Sequence, residues 1–331
     1  ERARPEMTIP RIGVTLGDPA GVGPEAVVKT LSRLASLPPA AYVLFADARL
    51  VAAAEKAFGV RLERRDGLPA GAPQAGLFLS HVPAAAGAEP DGRPTAWGGE
   101  ASFRFFEAAA AEARHGRLEA VVTAPVSKAA WALAGKPFRG HTDYLERLYP
   151  GAIMSFWSDR IKVALFTHHR PLNEAVAAVR KEALAGFLRR LDAALGRLPG
   201  GPFELLVAGL NPHSGEDGNL GREEQDEIGP AVEAVRREGV RAQGPFPPDT
   251  VFLKALGKPG SVVAALYHDQ GLIPFKLEAF ARGVNATLGL PFVRTSPDHG
   301  TAFDIAGKGM ADPRSMEEAV RLAAAFSATG S

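Results

Sequence analysis

Short apolar runs alternating with helix-patterned stretches constrain this chain more than any other feature. Arg11–Leu16 (RIGVTL), Ala41–Ala46 (AYVLFA), Leu77–Val82 and Glu119–Thr123 (EAVVT) read as strands. Between them, Pro24 to Leu34, the stretch just after Ala46, and Gly98–His115 read as helices; Phe103, Phe106, Ala110 and Ala113 recur at roughly helical spacing. A short helix and the Gly140-His141-Thr142 turn follow Ala124-Pro125. Lys181–Leu195 is the clearest later helix, and Ser315–Ser327, just past Pro313, is the last element. Alternation of this kind predicts an α/β fold with a largely parallel sheet. Gly67–Pro94 reads as a loop or excursion, and there are no internal repeats.

Three further strand-like runs each end in histidine. Lys162–Thr167 leads into His168-His169, Glu204–Leu210 into Asn211-Pro212-His213, and Val262–Tyr267 into His268-Asp269. In an open α/β sheet the carboxyl ends of the strands form the ligand crevice. Three imidazoles delivered there can share one divalent metal and leave a position open for substrate. Taken singly, each is more simply a hydrogen-bonded structural residue. Their common topological position makes the metal reading, and spacing alone does not choose between His168 and His169. Asp269 reads as a carboxylate partner to the site, as a fourth ligand, or as a catalytic group. His81 and His115 read as structural, the latter suited to a helix C-terminus.

Composition narrows the function classes. The 331 residues suffice for one large or two medium domains. Lys plus Arg number 38 against 37 for Asp plus Glu, so no global field favours nucleic acid or a membrane surface. The absence of Cys excludes disulfides and thiolate chemistry and suits the cytoplasm. No run is long and apolar enough to span a bilayer. Met7 is read as the natural start, with Glu1–Glu6 a ragged end.

Two other stretches look like parts of a site. Gly17-Asp18-Pro19-Ala20-Gly21-Val22-Gly23-Pro24-Glu25 resembles a phosphate-cradling turn, but its spacing fits neither GxGxxG nor the P-loop. A packed turn with Pro24 opening the helix explains it equally well. Lys276, Arg282, Asn285 and Arg294 fall among Gly and apolar residues, and such cations suit a phosphate or carboxylate clamp. Arg282 is better read as surface charge. Thr295–Thr301 (TSPDHGT) is polar and Gly-punctuated.

Several blocks carry a family resemblance: TAPVSK (Thr123–Lys128), GHTDYLE (Gly140–Glu146), LNPHSGEDGNLGREE (Leu210–Glu224), YHDQG (Tyr267–Gly271) and GVNATLGLPFVRTSPDHGTAFDIAG (Gly283–Gly307). In order and spacing they resemble the 4-hydroxythreonine-4-phosphate dehydrogenases of vitamin B6 biosynthesis over nearly the whole chain. The resemblance implies metal ligands at His169, His213 and His268. His169 is taken over His168 because it stands two residues before Pro171, with Arg170 where an apolar residue is common. It implies substrate contacts at His141, Thr142, Lys276, Asn285 and Arg294, with Lys276 a clamp or a proton shuttle. The segment His299–Pro313 is similar to the cofactor loop of isopropylmalate and isocitrate dehydrogenases, which implies cofactor contacts at His299, Gly300, Thr301, Asp304, Ala306 and Gly307.

That likeness implies two α/β domains with a cleft between them rather than a GxGxxG Rossmann fold. Residues 7–125 plus 300–331 form the first, with the cofactor loop, and residues 126–299 the second, with metal, substrate and dimer contacts. The implied reaction is NAD- or NADP-dependent oxidation of 4-phosphooxy-L-threonine at C3, then decarboxylation to 3-amino-2-oxopropyl phosphate. It needs one divalent ion, Zn²⁺, Co²⁺ or Mg²⁺, and imidazole favours the first two. The resemblance further implies a homodimer whose metal ligands come from both subunits. The alternatives are a paralogue oxidising another hydroxy acid, such as a four-carbon sugar-acid phosphate or a cyclic diol carboxylate, and a three-histidine hydrolase or lyase.

Overall fold

The computed structural model describes residues 9–69, 71, 73–85 and 92–328. The segment before Met7 and part of the Gly67–Pro94 stretch lie outside the described residues. In chain order the strands are β1 (Arg11–Thr15), β2 (Ala41–Ala46), β3 (Arg65–Asp66), β4 (Gly76–His81), β5 (Ala120–Thr123), β6 (Ile153–Trp157), β7 (Lys162–Leu165), β8 (Glu204–Ala208), β9 (Ala242–Phe246), β10 (Ser261–Ala265), β11 (Val284–Leu288) and β12 (Val293–Pro297). The chain divides into two compact units, one ending at Leu148 and resuming at Leu290, the other Tyr149–Gly289.

In the first unit the strands lie in the order β3-β4-β2-β1-β5-β12, every pair parallel. Every residue of β2 is buried, as expected of a parallel strand covered on both faces. The sheet is flanked by helices that include Gly23–Leu31, Ala48–Phe58, Ala96–Arg114 and Arg314–Ser327. His81 and His115 behave as structural residues: His81 Nδ1 accepts the Ala48 N–H at 3.1 Å, and His115 caps the helix Ala96–Arg114.

The expected division at residue 125 falls inside this unit. Residues 126–148 stay with it because the helix Lys128–Leu133 lies tight against Ala96–Arg114. A Cβ on Gly99 would stand 2.0 Å from the Ala130 carbonyl oxygen, so only glycine permits the approach. Trp131 is fully buried there, donates to Ser102 Oγ at 3.0 Å, and meets Phe103 edge-on at 5.2 Å. The expected turn at Gly140–Thr142 is the start of another helix, His141–Leu148.

In the second unit the order is β11-β6-β7-β10-β8-β9. Strand β6 runs antiparallel to β11 and β7, while β7, β10, β8 and β9 are mutually parallel. Its core gathers Phe156, Val163, Leu206, Val263 and Phe275. The three histidine-tipped runs are therefore β7, β10 and β8, adjacent and pointing the same way. No helix among the described residues is long and apolar enough to cross a membrane.

Candidate active site

The histidine-bearing ends of the second unit are shaped by strained backbone. His169 has φ 44°, and His213, Ser214, Glu216 and Asp217 all have positive φ, making a left-handed turn just past β8. A left-handed turn of L-residues costs roughly 1–2 kcal/mol per residue, and such outliers cluster at functional sites. The His169 ring lies 5.6 Å from that of His268 and 5.2 Å from that of His168. All three line a cavity of about 280 Å³ with Tyr267 and Asp269.

His268 opens the helix His268–Ala279, and its Nδ1 stands 2.7 Å from Asp269 Oδ1. His213 Nδ1 stands 2.7 Å from Glu216 Oε1. An ionised carboxylate only accepts, so Nδ1 carries the proton in both rings and Nε2 is left for an ion. Glu216 also holds the His213 imidazole above its ordinary pKa through this hydrogen bond. These donors suit a divalent metal, and Asp269 stands as the carboxylate partner of His268. His213 does not line the cavity shared by the other two. Among the described residues of one chain, no three His, Asp or Glu side chains are grouped to hold an ion.

The expected substrate contacts divide between the units. Lys276 lies partly buried on the helix His268–Ala279, and Asn285 on β11 opposite Phe156. In the first unit Arg294 is 4 % exposed on β12 and is no solvated surface charge. Burial pulls its guanidinium down to about 10, so it stays charged at neutral pH. Arg294 Nη2 donates to Thr123 Oγ1 at 2.8 Å and approaches His141 Nδ1 at 3.4 Å. Because Arg only donates, His141 accepts on Nδ1 and carries its proton on Nε2, a buried atom with no protein partner. Phe106 and Trp131 surround that imidazole at 4.5 and 5.4 Å. Burial, aided by Arg294, holds it well below its ordinary pKa, so it is neutral. Thr142 follows it, partly buried, in the first turn of the helix. Arg282 is exposed, as expected.

The His299–Pro313 segment packs on the glycine-rich N-terminal turn. Val22 N–H donates to the Thr301 carbonyl at 2.9 Å, and a Cβ on Gly21 would stand 2.8 Å from the same oxygen. Glu25 accepts the Ala311 N–H at 2.8 Å, and Lys29 donates to the Gly309 carbonyl at 2.9 Å. Gly17, at φ +76°, meets the Pro125 carbonyl at 2.5 Å from its would-be Cβ. These glycines serve close packing, as the packed-turn reading expects. His299 Nδ1 lies 3.0 Å from the Gly300 carbonyl, and its Nε2 is buried without a partner. Ala306 and Gly307, with Gly21, Leu50, Phe58 and Trp97, line a largely apolar cavity of about 420 Å³. Thr301 is partly buried and Asp304 exposed.

Sequence reasoning left out four buried polar residues. Thr123 anchors Arg294. Gln270 and Glu224 brace the histidine-bearing strand ends. Asp18 is fully buried, with Oδ1 accepting the Ala20 N–H at 3.0 Å. Each sits inside a motif block, and only burial separates it from its neighbours.

A family model described as pyridoxal phosphate biosynthetic protein PdxA matches residues 39–323. A 4-hydroxythreonine-4-phosphate dehydrogenase of Chromobacterium violaceum is 46% identical over 322 residues, 95% of this chain and 96% of that protein. The crystal structure of the protein of that name from Klebsiella pneumoniae superposes with TM-score 0.86 at 36% identity, covering 98% of this chain and 100% of that one. A terephthalate 1,2-cis-dihydrodiol dehydrogenase from Burkholderia xenovorans superposes with TM-score 0.67 at 28% identity, covering 96% and 98%. The chain belongs to the PdxA family of pyridoxal phosphate biosynthetic proteins.

Proposed function

We propose that this chain is a 4-hydroxythreonine-4-phosphate dehydrogenase, oxidising 4-phosphooxy-L-threonine at C3 with NAD or NADP and a divalent metal, with decarboxylation to 3-amino-2-oxopropyl phosphate. The observation that carries the reading is 46% identity, over nearly its full length, to a protein of that name. His169, His213 and His268 are assigned to the metal, supported by the carboxylate held on Nδ1 of two of them. When bound, the ion supplies Lewis acidity at the substrate's C3 oxygen and the nicotinamide accepts the hydride.

The chain's own residues hold the substrate's polar ends. Arg294 contributes a fixed positive charge, and neutral His141 contributes an Nε2–H donor to an anionic oxygen. Thr142, Lys276 and Asn285 add a hydroxyl, an ammonium and an amide, with Lys276 assigned either to this clamp or to a proton shuttle. The cofactor is assigned to His299, Gly300, Thr301, Asp304, Ala306 and Gly307, and the apolar cavity beside Ala306 and Gly307 suits a flat adenine.

The working unit in this reading is a homodimer, with the metal ligands of each site completed by a second copy. Ile273, Leu277 and Phe280 support it: at successive helical spacings on the segment that begins at His268, they are 61%, 84% and 79% exposed. Such an apolar stripe is the ordinary mark of a protein interface.

A second reading is oxidation of a cyclic diol carboxylate, favoured by the likeness to the dihydrodiol dehydrogenase. The test is NADH formation from 4-phosphooxy-L-threonine and NAD⁺ with Zn²⁺, Co²⁺ or Mg²⁺, beside a chelator control and a His213→Ala enzyme. Metal-dependent turnover lost in both controls supports the proposal. No turnover by a protein that binds metal and NAD⁺ moves the reading to the diol carboxylate, and binding of neither NAD⁺ nor NADP⁺ defeats both.

A further inference from the structure

The exits of β7, β10 and β8 are tied together by buried side chains with no role in the reaction so far. Gln270, 8 % exposed, sits in the first turn of the helix His268–Ala279. Its Oε1 accepts the Leu266 N–H at 2.7 Å, and its Nε2 donates to the Gly209 carbonyl at 2.8 Å. Leu266 follows β10 and stands two residues before His268. Gly209 follows β8 and opens the segment that leads to His213. One amide therefore joins the exits of two histidine-bearing strands.

The neighbouring links extend the tie on both sides. Thr167 Oγ1 donates to the Leu266 carbonyl at 2.7 Å, fixing the exit of β7 two residues before His169. Beyond Gly209, Glu224 Oε1 accepts the Leu210 and Asn211 N–H groups at 2.7 Å each, and Oε2 accepts Asn211 Nδ2 at 2.9 Å. Gly271 makes the arrangement possible. A Cβ there would stand 2.8 Å from both Leu165 Cδ2 and Val163 Cγ1, so glycine lets the helix start lie against β7.

We propose that Gln270 is a positioning residue, which fixes the two strand ends that present His268 and His213, whichever copy's ion each serves, by bridging Leu266 and Gly209. The proposal rests on the metal reading of those histidines. Its chemistry is specific to the side chain. The position needs an acceptor for one strand and a donor for the next, at the full reach of a glutamine. Methionine fills the volume with neither, and asparagine falls one methylene short. Groups that orient metal ligands commonly change metal affinity by about ten- to a hundredfold when replaced.

The experiment is Co²⁺ titration of the metal-free full-length protein, Gln270→Met and His268→Ala, reading the ligand-field spectrum, the affinity and the thermal midpoint together. Gln270→Met is expected to bind Co²⁺ at least about tenfold more weakly, with an altered spectrum. Should that variant fail to fold, Gln270→Asn is read in its place with the same expectation. Affinity within about twofold of the parent and an unchanged spectrum, alongside a lowered thermal midpoint, mean a merely structural role and overturn the proposal. A parent protein whose Co²⁺ binding survives His268→Ala defeats the metal reading itself, a separately visible result.

Discussion

Arg294 and Thr123 share a buried hydrogen bond of 2.8 Å, which fixes one edge of the guanidinium within the first unit. The same nitrogen lies 3.4 Å from His141. A lysine at 294 keeps the charge but loses the planar fork, so it cannot hold Thr123 and an anion in the same geometry. Arg294→Lys is therefore expected to raise KM for the phosphorylated substrate by about ten- to a hundredfold, the equivalent of a charged hydrogen bond of ~1.5–3 kcal/mol. Steady-state kinetics check this, and an unchanged KM removes Arg294 from the substrate site.

His141 makes a pH prediction. Its folded pKa lies below the ordinary 6.5 because of burial and, second, Arg294. Stability from the neutral ring is present above about 6.5 and is lost as pH falls below it, since the unfolded chain then binds the proton first. Denaturant midpoints should fall between pH 7.5 and 5 in the parent and fall less in His141→Gln. Equal slopes would show that the imidazole is not held neutral.

Asp18 gives the opposite sign. Burial pushes its carboxyl from 3.8 up to about 6. The fold thus favours the protonated form, and stability is lost as pH rises from about 4 through about 6. Asp18→Asn keeps an acceptor for the Ala20 N–H and removes the charge. It should be more stable than the parent above pH 7, by up to ~3 kcal/mol, with the gain gone near pH 4. A variant less stable at pH 8 would mean that the ionised carboxylate has a favourable partner.

The exposed stripe of Ile273, Leu277 and Phe280 predicts where association fails. Leu277→Glu should yield monomers by light scattering and abolish turnover while each chain stays folded, because the metal ligands are assigned to two copies. An active monomer contradicts the shared site.

Much of the fold was legible in periodicity. Arg11–Thr15, Ala41–Ala46, Lys181–Leu195 and Arg314–Ser327 lie within a residue of their expected bounds because apolar periodicity and a flanking proline such as Pro313 are local signals. Strands β11 and β12 were hidden, since VNATL and VRTSP mix polar residues into short runs. That mixing also concealed that Arg294 is buried. The order β7-β10-β8 is a long-range property, yet the common position of the three histidines anticipated it. The ties through Thr123, Gln270 and Glu224 depend on side-chain reach across strands, which no local pattern encodes.

Comparing kcat/KM for 4-phosphooxy-L-threonine, 4-hydroxy-L-threonine and a cyclic cis-diol carboxylate, with NAD⁺ and Zn²⁺ or Co²⁺, tests the central claim most directly. The account predicts NADH formation with the phosphorylated substrate, a loss of at least about a hundredfold without the phosphate as its charged contacts go, and no reaction in chelator. Equal rates with and without the phosphate, or a preference for the diol carboxylate, would contradict it.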